Sequence, residues 1–116
     1  MPIRTAGFDH VHLWVEDVDA ALEFYRAAFG AEEAFRVGDR LVFVRLGGGE
    51  IFALDGRPEH ERNPHHVGLR LAEGHGLDSA VDIVRRAGGS LLERGEHAPG
   101  VPFAYVADPD GNVIEL

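Results

Sequence analysis

The 116-residue chain contains no cysteine and no lysine, with all eleven basic residues being arginine. Without cysteine there are no disulfides, no thiolate nucleophile and no sulfur-built zinc site, so any metal must be held by histidine and carboxylate. Without lysine, Schiff-base chemistry and a phosphate-loop lysine are excluded. Apolar runs long enough to span a bilayer are missing, as is the apolar central segment of a signal peptide in the opening MPIRTAGFDH. These absences predict a cytoplasmic protein with no membrane contact. Positive charge is also scarce: the formal net charge is -9, the wrong sign for displacing counterions from a nucleic acid. Neither GxGxxG nor GxSxG occurs, so there is no sign of a dinucleotide fingerprint or a hydrolase elbow.

The length suits one domain, with a core too modest to divide into two independent ones. Near its start lies FDHVHLWVED, Phe8 to Asp17. Side chains alternate faces along a strand, so Val11, Leu13 and Val15 share an aliphatic face while His10, His12 and Trp14 share the other. An isolated strand histidine is more often a hydrogen-bonded structural residue than a ligand, and the rest of the chain has to decide between the two.

It does so by repeating itself. HVHLWVED from His10 matches HVGLRLAE from His66 at an offset of 56, with the histidines coinciding. DAALEFYRAAFG from Asp19 matches DSAVDIVRRAGG from Asp78 at an offset of 59, and GEIFAL from Gly49 matches GNVIEL from Gly111 at 62. Each half reads as strand, helix and further strands. Val18, Leu22, Tyr25 and Phe29 form one helical apolar stripe, and Leu77, Val81, Val84 and Ala87 the other. Asp17 is a candidate N-cap, Asp78 sits in the second helix's first turn, and glycine ends each helix. With a helix on one face of each sheet, the opposite face becomes a concave wall.

Parity assigns the lining of that wall. LVFVRLGGG places Leu41, Phe43 and Arg45 together, and VPFAYVADPDG places Phe103, Tyr105 and Ala107 together. The turn DPDG hands the chain to NVIEL, where Val113 and Glu115 share a face. The first-half counterpart of Glu115 is Ala53, and Asp55 has the right parity but lies one step beyond that slot.

In this order, HVHLWVED, ALEFYRAAFG, HHVGLRL and DPDGNVIEL resemble the vicinal oxygen chelate superfamily over nearly the whole chain. That superfamily includes glyoxalase I, extradiol dioxygenases, fosfomycin-modifying transferases, epimerases and metal-free bleomycin-binding proteins. The resemblance implies an α+β fold in a single domain spanning 1–116. Two βαβββ modules, about 6–55 and 63–116, would form a concave mixed-sheet cup with helices outside.

Carried over position by position, the resemblance implies one divalent metal ion held by His10, His66 and Glu115. His65 replaces His66 only if the strand slips by one, turning Val67 and Leu69 into the cup. A fourth ligand, present in some members, would fall on Ala53 and is absent. Two imidazoles and one carboxylate leave open positions, as at non-haem iron(II) sites, so Fe(II) or Mn(II) is favoured over Zn or Ni. His12 and Tyr105 are then candidate catalytic groups, and Trp14, Phe43, Arg45, Arg70 and Phe103 candidate substrate contacts.

The expected function is a metal-dependent enzyme acting on a small oxygenated, anionic substrate chelated through two neighbouring oxygens. The ligand set leans towards dioxygenase-like chemistry, with lyase, transferase or isomerase activity open. The alternative is a metal-free binding or drug-sequestering protein of the bleomycin-resistance type, which an aromatic-lined cup also suits. The superfamily implies a homodimer, with the cup closed within one chain or across two.

Overall fold

The computed structural model describes residues 10–56 and 66–116, together with residues 2, 4, 6 and 8. His60, His65 and the first residues assigned to the second module lie outside the described residues. The chain order is β1 (Val11–Trp14), α1 (Val18–Phe29), β2 (Glu32–Val37), β3 (Leu41–Arg45), β4 (Ile51–Asp55), β5 (Val67–Gly68), α2 (Leu77–Arg86), β6 (Ser90–Ala98), β7 (Val101–Ala107) and β8 (Val113–Glu115).

The strands form two four-stranded mixed sheets of the same topology, ordered β1-β4-β3-β2 and β5-β8-β7-β6. In each, the first strand pairs parallel with the last and the remaining pairs are antiparallel. The repeat extends to register: Val11 faces Phe52 and Val67 faces Ile114, so the offsets of 56 and 62 both hold in the pairing. The architecture is α+β, consistent with two βαβββ modules forming a cup.

Alternation along the strands decides what is buried. Leu13 and Val15 of the first segment, Val42 and Val44 of β3, Phe52 and Leu54 of β4, Ala104 and Val106 of β7, and Ile114 of β8 enter the core. The helices cover that side with Val18, Leu22 and Tyr25 from α1 and Val81 and Val84 from α2, and one apolar cluster joins both modules. Removing this apolar surface from water is the main stabilising term.

Helix ends follow local chemistry. The Asp17 side chain accepts from the Ala20 amide at 3.0 Å, and Gly30 ends α1 with φ of 65°. This left-handed conformation costs glycine little. The end of α2 differs slightly from expectation: Ala87 caps it in a right-handed conformation, and the positive φ falls on Gly88.

Gly89 is needed for space. A Cβ there would lie 2.6 Å from the Ala107 carbonyl oxygen, 2.6 Å from Val84 Cγ1 and 2.8 Å from Phe24 Cε1. Gly89→Ala should therefore destabilise the fold by about 1–3 kcal/mol through overpacking, lowering the urea midpoint at unchanged slope. An unchanged midpoint would contradict the close approach of α2 to β7.

The modules are also stapled by polar contacts. Tyr25 Oη donates to Asp108 Oδ2 at 2.9 Å, Asn112 Nδ2 donates to the Trp14 carbonyl at 3.0 Å, and the Glu16 amide donates to Asp110 Oδ1 at 2.7 Å. The DPDG turn thus does more than reverse the chain, since its carboxylates grip the first module. Among the described residues no helix is long and apolar enough to cross a membrane.

Candidate functional site

The sheet faces away from the helices carry the polar residues. In the second module, β8 places Glu115 opposite Tyr105 of β7 and beside Gly68 of β5. His66 precedes β5 and directs Nε2 to within 3.3 Å of Glu115 Oε1. Its ring meets Tyr105 edge-on at 5.3 Å, and Tyr105 meets Phe103 at 5.2 Å.

His97, on β6, completes the group. Its Nε2 lies 2.7 Å from Glu115 Oε2, and its ring stacks on Phe103 at 4.2 Å with 15° between planes. The His97 hydrogen bond is the main influence holding the Glu115 carboxyl below its ordinary pKa, against partial desolvation, with His66 and Tyr105 adding to it. Tyr105 is shifted up, by desolvation first and then by the Glu115 charge.

In the first module the equivalent face is mostly apolar. His10 meets Phe43 edge-on at 5.9 Å, as His66 meets Tyr105, and Phe43 stacks on Phe35 at 4.3 Å. His12 lies against Trp14 at 4.6 Å, and its Nε2 is 2.9 Å from Oδ2 of Asp55, a residue only 2% exposed. A buried carboxylate needs such a partner. The bond selects the tautomer carrying hydrogen on Nε2 and leaves Nδ1 as the acceptor.

A cleft of about 820 Å³ brings the modules together, with His10, His12, Glu50 and Ile51 on one side and His66, Val67 and Gly68 on the other. Of the candidate ligands, one chain brings His66 and Glu115 into contact, and His10 shares the cleft with His66. Among the described residues, no three histidine, aspartate or glutamate side chains converge closely enough to hold an ion.

The remaining candidates are spread more widely. Phe43, Phe103 and Tyr105 lie half-buried on the cup face, and Arg45 is exposed at the end of β3. Arg70 lies beyond β5, where pairing has ended, and lines a separate cavity of about 240 Å³ with Phe29, Leu69 and His75. Sequence reasoning missed His97 and gave Asp55 no role. Parity along β6 is broken by irregularities between Leu91 and Glu93 and between Glu96 and Ala98, so counting by twos cannot place His97. Asp55 was within reach, since it shares the face of His12 and Trp14.

The donor chemistry fits a divalent ion. Two ligand atoms each about 2.1 Å from an ion, at angles between octahedral and tetrahedral, stand roughly 3.0–3.4 Å apart, and the 3.3 Å between His66 Nε2 and Glu115 Oε1 falls in that range. The His97 contact at 2.7 Å is a hydrogen-bond length instead.

Residues 7–116 match the model of the glyoxalase/bleomycin resistance protein/dioxygenase superfamily, and the chain belongs to that family. The fosfomycin resistance protein FosX of Listeria monocytogenes is 24% identical, over 96% of this chain and 88% of that protein. A FosX mutant crystallised with Mn(II) and 1S,2S-dihydroxypropylphosphonic acid superposes with a TM-score of 0.79 at 22% identity, covering 97% of this chain and 90% of that one. Lactoylglutathione lyase from Agrobacterium tumefaciens gives 0.75 at 22% identity, covering 96% and 92%. At these identities the structural likenesses establish the fold.

Proposed function

We propose that the protein is a metal-dependent enzyme acting on a small, oxygenated, anionic substrate that presents two neighbouring oxygens. The observation carrying this reading is the His66–Glu115 pair, set at the spacing of two ligands to one ion. His10, His66 and Glu115 are the proposed ligands, with Fe(II) or Mn(II) favoured. Because one chain gathers only two of them, the complete set forms in a homodimer, His10 coming from one copy and His66 and Glu115 from the other. The relation to FosX, whose mutant was crystallised with Mn(II) and a phosphonate, supports both the ion and an anionic substrate.

When bound, the ion supplies Lewis-acid stabilisation of negative charge on the substrate oxygens. The chain's own groups do the rest. Asp55 holds the His12 ring so that Nδ1 is available to accept a proton. Tyr105 keeps a hydroxyl proton beside Glu115, which its raised pKa preserves at neutral pH, and so serves as a donor. Phe43, Phe103 and Trp14 give the cup apolar walls that exclude water, and Arg45 offers charge complementary to an anion. Oxygen-dependent ring cleavage and addition to a phosphonate substrate are the two reaction classes to screen first.

The second reading, a metal-free binding protein, is favoured by the aromatic lining of Phe35, Phe43 and Phe103. The experiment that separates them strips the protein with a chelator, restores Mn(II) or Fe(II), and screens catechols under oxygen and phosphonate epoxides. Turnover is expected only in the restored protein, and His12→Ala should retain metal while turnover falls about 10²–10⁴-fold. Ligand binding that is equal with and without metal, and never followed by turnover, would establish the metal-free reading.

A further inference from the structure

We propose that His97 is a positioning residue for Glu115. It holds one carboxylate oxygen by a hydrogen bond, so that the other is presented beside His66 for coordination. The inference rests on the metal-dependent reading of the same site.

Three observations carry it. First, the two oxygens of Glu115 have different partners: Oε2 is 2.7 Å from His97 Nε2, whereas Oε1 is 3.3 Å from His66 Nε2. A carboxylate with one oxygen engaged by an N–H donor is fixed in rotation and offers a single oxygen to an ion. Hydrogen-bonded carboxylate ligands of this kind are how proteins orient a metal site. Second, the donor is itself held, since the His97 ring lies flat against Phe103 at 4.2 Å. Stacking fixes the imidazole plane and therefore the direction of its N–H.

Third, the fold does not require the arrangement. At the offset of 62 relating β3 and β4 to β7 and β8, Glu115 and Tyr105 correspond to Ala53 and Phe43, whereas the pairings match β6 to β2 at an offset of 58, which takes His97 to Asp39, beyond the end of β2. The first module builds the same four-stranded topology with apolar residues at the first two places and no strand residue at the third. A polar trio that the other module lacks is not needed to form the sheet. His97 is also half-exposed on a strand at the sheet edge, where a purely structural histidine would have little to stabilise.

The test is a titration of metal-free protein with Mn(II), followed by electron paramagnetic resonance, on wild type, His97→Ala and His97→Gln. Glutamine keeps an N–H donor at similar reach but does not titrate, so it isolates the hydrogen bond. His97→Ala should weaken Mn(II) binding about 10–100-fold, and His97→Gln should recover most of the loss. The metal-free melting temperatures of all three should agree within about 3 °C, as expected for an exposed position. Wild-type affinity in His97→Ala, or a glutamine variant as weak as the alanine variant, would overturn the inference and leave the metal reading standing. Absence of Mn(II) binding in the wild type would overturn both.

Discussion

Replacing His10 by alanine should remove stoichiometric Mn(II) binding, a loss exceeding the tenfold to roughly hundredfold effect of deleting a hydrogen-bonding partner of a ligand. The fold should survive, because His10 is exposed and lies just before β1, outside the buried cluster. The same loss is expected for Glu115→Ala, and mixing the two variants distinguishes where the site forms. In a hybrid dimer of one His10→Ala copy and one Glu115→Ala copy, one shared site lacks both ligands and the other retains both. Recovery of binding after the variants are unfolded together and refolded would show that the ligands come from different copies. No recovery would place the site within one chain and contradict the dimeric assignment, which rests on the failure of three ligand side chains to converge among the described residues of a single chain.

The second large effect concerns the staple between modules. Asp108 is 4% exposed and its two oxygens accept four hydrogen bonds, from Tyr25 Oη, Asn112 Nδ2 and the amides of Asp110 and Asn112. Asp108→Ala leaves the fully buried Tyr25 hydroxyl without its acceptor and frees the turn. A buried unsatisfied group costs about 1–3 kcal/mol, and losing the turn bonds as well should bring the total to roughly 2–4 kcal/mol, a fall in melting temperature of about 10–15 °C. A change below about 2 °C would show that the staple is not needed to hold the modules together.

The same carboxyl has a definite pH signature. Burial shifts its pKa up, only partly offset by the hydrogen bonds from Asn112 and Tyr25. The folded protein therefore holds this proton more tightly than the unfolded chain does. The resulting stability is fully present below the unfolded pKa and is lost as pH rises through the folded value. Asp108→Asn removes that dependence, so the stability of wild type relative to this variant should increase as pH falls from 7 towards 4. A difference that shrinks over that range would reverse the sign assigned to burial.

Much of this was legible in the sequence because strands and helices bury residues at fixed periods. Val11, Leu13 and Val15 against His10, His12 and Trp14 gave the two faces of the first strand, and the repeat offsets survived into the pairing of Val11 with Phe52 and Val67 with Ile114. What escaped lies where periodicity fails. Irregular pairing along β6 hid His97. Arg70 was assigned to the cup by continuing the alternation of HVGLRL, but β5 pairs only over Val67 and Gly68, so the strand rule has no authority two residues later. Asp55 was dismissed as a ligand for its position, and the same position puts its carboxylate on His12. Testing every carboxylate on a histidine-bearing face for second roles would have found it.

The most direct test of the central claim is the stoichiometry of Mn(II) binding to metal-free wild-type protein, read as loss of the free-ion paramagnetic signal. One ion per chain is predicted, with the titration saturating at that ratio and the bound ion displaced by a chelator. Failure to bind Mn(II) or Fe(II) at any concentration short of non-specific surface uptake would contradict a metal-dependent enzyme.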